Sequence, residues 1–368
     1  MAVAVTGVWG ESVAGRVIVP DGYGADAGAI EVVEASHPVP DGRGQAATAS
    51  LVGLIENAPQ DTQVLGLWSG GASALLVSPV DGLSLQEKQI VSKRLLACGA
   101  PISALNTVRK HLSNVKGGKF AVFARAKRMT NLIVSDVVGD DLSVIGSGPT
   151  APDPTTSSDA LDVLDRYGID LPSAVRRRLE AGEYETPKTL PEWIINTLVL
   201  RPADLLEAVV KRAVRAGCSV TNLGDAIEGE AVAAARDLGA RAIALAREST
   251  EQPILLVSGG EVTVTHSGTG VGGPNLEFAL GFADAVKGHP RIWAFAADTD
   301  GSDGVSGVAG AIVTPDVLSK AKSAGMDAGA CLESHNSKCF FEATGDLFSP
   351  GPTGSNLNDL RLVLILPD

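Results

Sequence analysis

Two kinds of stretch alternate along this chain. Short, uniformly apolar and β-branched runs recur at Arg16–Val19, Ile30–Val33, Val64–Leu67, Leu132–Val134, Thr197–Leu200, Ile254–Val257, Ile292–Phe295 and Leu362–Leu366. Runs this short, apolar at successive positions, predict strands buried on both faces. Between many of them lie longer stretches with recognisable helix ends. Ser84-x-x-Glu87 is a capping box that predicts a helix running to about Cys98, with Gly99 behind it. Thr314-Pro315 predicts a further start, stopping at Gly325, and Gly168, Gly217 and Gly239 are expected to close three more helices. Strands mostly separated by helices predict an α/β fold with largely parallel sheets.

Length adds organisation. At 368 residues the chain is expected to hold two domains. Gly148–Ser158 and Ala181–Pro191 are rich in Pro and polar residues and read as joints, the second placing a boundary near residue 190. Ser-Gly-Gly follows an apolar strand twice, at Ser69–Gly71 and Ser258–Gly260, which suits two α/β units that each offer a strand-end loop to a shared cleft. No apolar run approaches the roughly 18 residues of a membrane span, and Met1–Val5 lacks the basic flank of a signal peptide. Four cysteines make no disulfide framework in a chain of this length, so a reducing cytoplasm is expected. Cys331-x3-His335-x3-Cys339 lacks a nearby fourth ligand and reads as ordinary thiols rather than a zinc site.

Charge changes the picture more. The net charge is −13 and the pI about 4.9, which argues against a nucleic-acid partner. Against that background residues 88–128 carry ten Lys/Arg and no Asp or Glu. Such an island, close to the Ser69–Ser73 turn, would concentrate positive potential where an anion could sit; the alternative is a solvated basic face. Three loops hold further candidate chemistry. Asp136, Asp140 and Asp141 follow one strand, and Asp298, Asp300 and Asp303 follow another. Carboxylates at strand C-termini suit ligands and Mg²⁺, while the plainer alternative is turn chemistry. Gly351–Asp359 offers small hydroxyl and amide residues, with backbone N–H groups free to cradle an anionic oxygen. The Gly268–Gly273 segment has the wrong spacing for a dinucleotide fingerprint, and neither a P-loop nor a G-x-S-x-G nucleophile is present. His37, in His-Pro-Val-Pro, reads as part of a rigid turn.

Together these motifs resemble the glycerate kinase family that ends in a MOFRL domain. The resemblance rests on SGGASALL (69–76), ACGAPISALNTVRKHLSNVKGGKFA (97–121), SDVVGDDLSVIGSGPTAPDPTT (135–156) and DAIEGEA (225–231). It continues through SGGEVTV (258–264), GGPNLEFAL (272–280), AADTDGSDG (296–304) and GPTGSNLNDL (351–360). It implies a Rossmann-like domain, residues 1–235, and a C-terminal α/β MOFRL domain, residues 236–368, with a cleft between them. It also implies ATP-dependent phosphorylation of D-glycerate to 2-phosphoglycerate with Mg²⁺. Two departures stand out. The family pattern usually begins with a strand, a Gly-rich turn and a lysine, whereas this chain reads as starting inside the following helix. Many members carry Arg-Asn-Gln-Glu where this chain has Pro274-Asn275-Leu276-Glu277.

Phosphoryl transfer needs positioning and neutralisation of charge on the transferring group. Arg109, Lys110, Asp136 and Asp298 are therefore the expected catalytic residues. Ser69, Gly70, Gly71, Ser73, Lys116, Gly259, Glu261, Gly272, Gly273, Asn275, Thr353, Ser355, Asn356 and Asn358 are expected to bind substrate or phosphate. Asp140, Asp298 and Asp300 are the expected metal ligands. Lys110→Met is expected to cut turnover and leave the fold intact. Partners would be D-glycerate and a nucleotide, with no nucleic acid or membrane, and a homodimer is compatible. The alternatives are a hydroxypyruvate reductase, for which no nicotinamide fingerprint is found, and a non-catalytic anion- or nucleotide-binding protein.

Overall fold

All eight apolar runs fold as strands, most extended at one or both ends: Gly15–Pro20, Ile30–Ala35, Gln63–Trp68, Arg128–Val134, Ile194–Leu200, Ile254–Ser258, Ile292–Asp298 and Asp359–Ile365. The capping box is made. The Ser84 hydroxyl accepts the Glu87 N–H at 3.1 Å, and the Glu87 carboxylate accepts the Ser84 N–H at 2.8 Å, opening the Leu85–Ala97 helix. Gly168 and Gly217 adopt φ of 61° and 86° behind the Ser157–Arg166 and Pro202–Arg215 helices. The helix expected from Thr314 begins at Val317, and the Thr314 hydroxyl bonds the Asp316 carboxylate at 2.5 Å ahead of it.

Gly239 corrects the expectation made for it: it lies inside the Ala231–Ala246 helix rather than at its end. A Cβ there would fall 2.8 Å from the Ala285 Cβ, and one at Gly281 would fall 3.3 Å from the Ala235 Cβ. The two glycines let the Ala231–Ala246 and Pro274–Val286 helices approach closely, so they serve packing rather than a turn.

The computed structural model describes residues 1–248, 251–265 and 270–368, and the chain divides into two compact units, 1–199 and 200–368. In the first, Gly15–Pro20 pairs in parallel with Ile30–Ala35 and Gln63–Trp68 with Arg128–Val134, which is flanked in turn by Ile194–Leu200. The second differs from the largely parallel expectation. Among the described residues its main sheet runs Leu347–Phe348, Gly310–Val313, Ile292–Asp298, Asp359–Ile365, Ile254–Ser258, Ser219–Asn222. The last pair is parallel and the others antiparallel. A loop rather than a helix joins Ile292–Asp298 to Gly310–Val313, and antiparallel neighbours need no crossover helix.

The two stretches read as joints are built into the first unit. Ala151 and Asp153 of the first are buried, as are Tyr184 and Thr186 of the second. Residue 235, the limit suggested by the family resemblance, falls within the Ala231–Ala246 helix of the second unit. That unit's core gathers Phe278, Phe282, Phe340 and Phe341 against Val363 and Ile365. Among the described residues no helix is long and apolar enough to cross a membrane.

Candidate functional site

In the first unit the Gln63–Trp68 strand ends in Ser69-Gly70-Gly71, and Gly71 at φ 82° leads into the Ala72–Leu75 turn of helix. The Ser73 hydroxyl lies 2.5 Å from that of Ser147. Ser147 belongs to a left-handed turn, Gly146-Ser147-Gly148, with φ of 59°, 63° and 59°. For a non-glycine residue that conformation costs on the order of 1 kcal/mol. The turn is held because its carbonyls accept the Gly117 N–H at 3.0 Å and the Gly118 N–H at 2.6 Å. The Ser147 hydroxyl also reaches Asn106 Oδ1 at 3.5 Å. Neither Asn106 nor Ser147 was singled out from the sequence, although both lie in segments that carry the family resemblance.

The basic island resolves into separate tasks. Lys88, 5% exposed, donates to the Leu112 carbonyl at 2.6 Å, just beyond the C-terminus of the Ile102–His111 helix. Lys119 donates to the carbonyls of Ser113 and Tyr184 at 2.9 and 2.7 Å. Lys110 forms a buried ion pair with Asp153 at 3.0 Å. Burial would raise the Asp153 carboxyl, but the Thr155 N–H and hydroxyl and the Lys110 ammonium hold it below the usual range. Lys88, Lys110 and Lys119 are therefore neither a solvated face nor a common anion bed, since their ammonium groups serve carbonyls and one carboxylate. Lys93, Arg94, Arg125, Lys127 and Arg128 are exposed, as the solvated-face alternative expects for that half of the island.

Arg109 and Lys116 are different. Lys116 is 1% exposed and donates to the Ser73 carbonyl at 2.6 Å. Burial, followed by the Arg109 charge, pushes its ammonium down to about 7. Burial also pushes half-buried Arg109 down, and among the described residues neither group forms an ion pair with a carboxylate. Asp136 is half-buried and raised by burial. Asp140 sits at φ 56°, and its Oδ1 is buried without a hydrogen-bond partner.

In the second unit Asp298 ends its strand opposite Asp359. The Asp300 N–H donates to Asp298 Oδ1 at 2.9 Å. Burial outweighs that bond and, with the Asp300 and Asp359 charges, pushes Asp298 up to about 8. Asp303 accepts the N–H groups of Asn275 and Leu276 at 3.0 and 2.8 Å at the start of the Pro274–Val286 helix, yet burial pushes it to about 7. The Asn275 amide donates to Asp359 at 2.5 Å. Arg361, fully buried, pairs with Asp359, donates to the Gly259 carbonyl at 3.1 Å and lies 5.1 Å from the Phe278 ring centre. The sequence reading missed Arg361, but the signal was present. Asp359, Arg361, Val363 and Ile365 alternate on one strand and share its buried face.

The remaining candidates fall around this cluster. The Thr353 hydroxyl donates to the Thr299 carbonyl at 2.6 Å, and the Ser355 N–H donates to that hydroxyl at 3.4 Å. The Asn358 N–H donates to Asn356 Oδ1 at 2.8 Å, and the Thr299 hydroxyl to the Asn358 carbonyl at 2.7 Å. Several of the loop's polar groups thus bind their own loop and the 298–300 turn instead of standing free. A Cβ on Gly273 would fall 2.3 Å from the Asp303 carboxyl, and one on Gly272 2.4 Å from the Ser337 hydroxyl, so both glycines meet a packing demand. Glu261 is exposed. Gly268 and Thr269 lie outside the described residues. Among the described residues no group of three or more His, Cys, Asp or Glu is arranged to hold a metal ion.

Residues 1–180 match a family described as a domain of unknown function, DUF4147, and residues 254–359 match the MOFRL family. A relative from Agrobacterium vitis, named provisionally as a hydroxypyruvate reductase, is 45% identical over 99% of this chain and 84% of its own length. The glycerate 2-kinase of Pyrococcus horikoshii is 38% identical over 95% of this chain and 81% of its own. The crystal structure of the glycerate kinase of Thermotoga maritima superposes with a TM-score of 0.89 at 36% identity, covering 100% of this chain and 88% of that one.

Proposed function

The chain belongs to the glycerate kinase family with a MOFRL region, and on that premise we propose that it transfers a phosphoryl group from ATP to the 2-hydroxyl of D-glycerate. The observation that carries this reading is the end-to-end likeness, in sequence and in fold, to proteins named for that activity. The geometry adds support in two places. The first unit buries Lys116 beside Arg109, and among the described residues neither pairs with a carboxylate, which suits an anionic group. Asp136, raised by burial, suits acceptance of the substrate hydroxyl proton.

Mg²⁺ belongs to the same proposal. Nucleotide sites hold it by one or two carboxylates together with phosphate oxygens, so a closed protein cage is not needed. Asp298 and Asp300 fit as donors, because their carboxyls lie close enough for the Asp300 charge to help raise Asp298. Asp140, with a buried oxygen lacking a partner, is a further candidate. When bound, the ion would neutralise phosphate charge. Lys110 is spent on the buried ion pair with Asp153 and is not itself assigned to the reacting group. A cytoplasmic location is inferred from four unpaired cysteines.

The name of the Agrobacterium vitis relative keeps a second reading, reduction of hydroxypyruvate. One assay separates the two: the purified chain with ATP, Mg²⁺ and D-glycerate, its product identified by ³¹P NMR, beside hydroxypyruvate with NADH or NADPH followed by absorbance. The expected outcome is 2-phosphoglycerate and no loss of reduced nicotinamide. Oxidation of the nicotinamide without phosphoglycerate overturns the kinase reading, and 3-phosphoglycerate corrects the hydroxyl.

A further inference from the structure

Lys116 and Arg109 present an electrostatic problem that the rest of the first unit does not solve. Lys110 has Asp153, and Lys88 and Lys119 each donate to two backbone carbonyls. Lys116, 1% exposed, has the Ser73 carbonyl at 2.6 Å, one acceptor for three N–H donors. The charged groups around it, Arg109 from the Ile102–His111 helix and Lys88 from the Leu85–Ala97 helix, are also cations. Asp153 is already committed to Lys110, Thr155 and Thr186. The polar groups on the same turns are hydroxyls: Ser73 and Ser147, 2.5 Å apart, with Ser147 itself 1% exposed and held in a left-handed conformation. A buried ammonium beside a guanidinium, with hydroxyl donors and no carboxylate partner among the described residues, asks for a negative charge from outside.

We infer that Arg109 and Lys116, with the Ser73 and Ser147 hydroxyls, form an oxyanion subsite that takes up a proton together with its ligand. Without an anion the cheapest way to relieve a buried ammonium beside a half-buried guanidinium is for the lysine to release its proton, since a guanidinium does not. An arriving carboxylate or phosphoryl group restores the ammonium, so anion and proton bind as a pair. Burial of Lys116 against the Arg109 charge is consistent with that coupling. The identity of the ligand rests on the kinase reading, which supplies two oxyanions, the carboxylate of glycerate and the phosphates of the nucleotide. The coupling itself does not depend on turnover.

The test is isothermal calorimetry on the purified full chain at pH 8, in two buffers of different ionisation enthalpy, with D-glycerate and with ADP as separate probes. The probe that occupies the subsite should bring in between about one half and one proton per site. Glycerate carrying the proton identifies the carboxylate as the ligand, and ADP carrying it identifies the phosphate. Lys116→Met should weaken that probe roughly tenfold or more and abolish the uptake. Lys116→Arg, which keeps the charge but cannot titrate, should retain binding and still lose the uptake, a split that simple structural damage does not produce. Binding without proton uptake in the unaltered chain overturns the inference, as does failure of both probes to bind at millimolar concentration. Uptake without turnover would sink the kinase reading and leave the subsite standing, whereas turnover without uptake would do the reverse.

Discussion

The lysines of residues 88–128 show how little a charge count says about what a charge does. Lys110 and Asp153 are 43 positions apart in sequence and pair with side chains 4% and 0% exposed. Removing one member of such a pair leaves an uncompensated buried charge, at a cost of about 3–5 kcal/mol. Asp153→Asn should therefore lower the unfolding free energy measured by urea titration by that much without any ligand present, and a change below about 1 kcal/mol would show the pair to be slack. The same reasoning corrects the expectation for Lys110→Met. That variant should lose stability along with turnover, because it strands Asp153. Arg361 makes the complementary point: its inward register was legible from alternation with Val363 and Ile365, but a lone arginine in an apolar run reads as an outward residue until Asp359 and the Gly259 carbonyl are placed beside it.

Among the elements, the strands and most helix ends were legible because they depend on neighbours within a few residues. The failures came where a contact between elements decided the matter. Gly239 looked like a helix stop, yet the Ala285 methyl of another helix explains it. Gly239→Ala should gain about 1 kcal/mol of helix propensity and lose about 1–3 kcal/mol to overpacking, giving a net loss. Thermal melts of that variant and of Gly239→Ala combined with Ala285→Gly check this. The double variant should recover part of the overpacking loss, and a single variant more stable than the parent would show that the helices can part at no cost. The antiparallel strands of the second unit were missed for a related reason. Gly310–Val313 and Leu347–Phe348 are short, and only their pairing with Ile292–Asp298 and with each other identifies them.

Across the whole chain the two units are expected to respond to pH in opposite directions. Lys116 is lowered to about 7 from 10.5, so between those values the unfolded chain holds the extra proton, and the first unit should gain stability as pH rises from about 7 to 10. Asp303 is raised to about 7 from 3.8, so the folded chain holds the extra proton, and the second unit should lose stability as pH rises from about 4 to 7. Hydrogen exchange of each unit at pH 5, 7 and 9 would read both trends. Burial also lowers Lys119, to about 8, and Lys88 in the same unit, so Lys116→Met should reduce the first slope without abolishing it, and an unchanged slope in that variant would remove Lys116 as a source.

What the sequence determined by itself was the α/β class, the eight main strands, the capped helices and the segments where polar chemistry gathers. Those follow from hydrophobic period, caps and turn residues, all of which act over a few positions. The tertiary structure decided which charges are spent inside the fold and which remain for a ligand. Lys116 meets Ser73 across 43 positions and Arg361 meets Gly259 across 102. Burial and pairing over such separations set whether an ammonium is a structural cap, half of an ion pair or a cation awaiting an anion, and no local pattern records that difference.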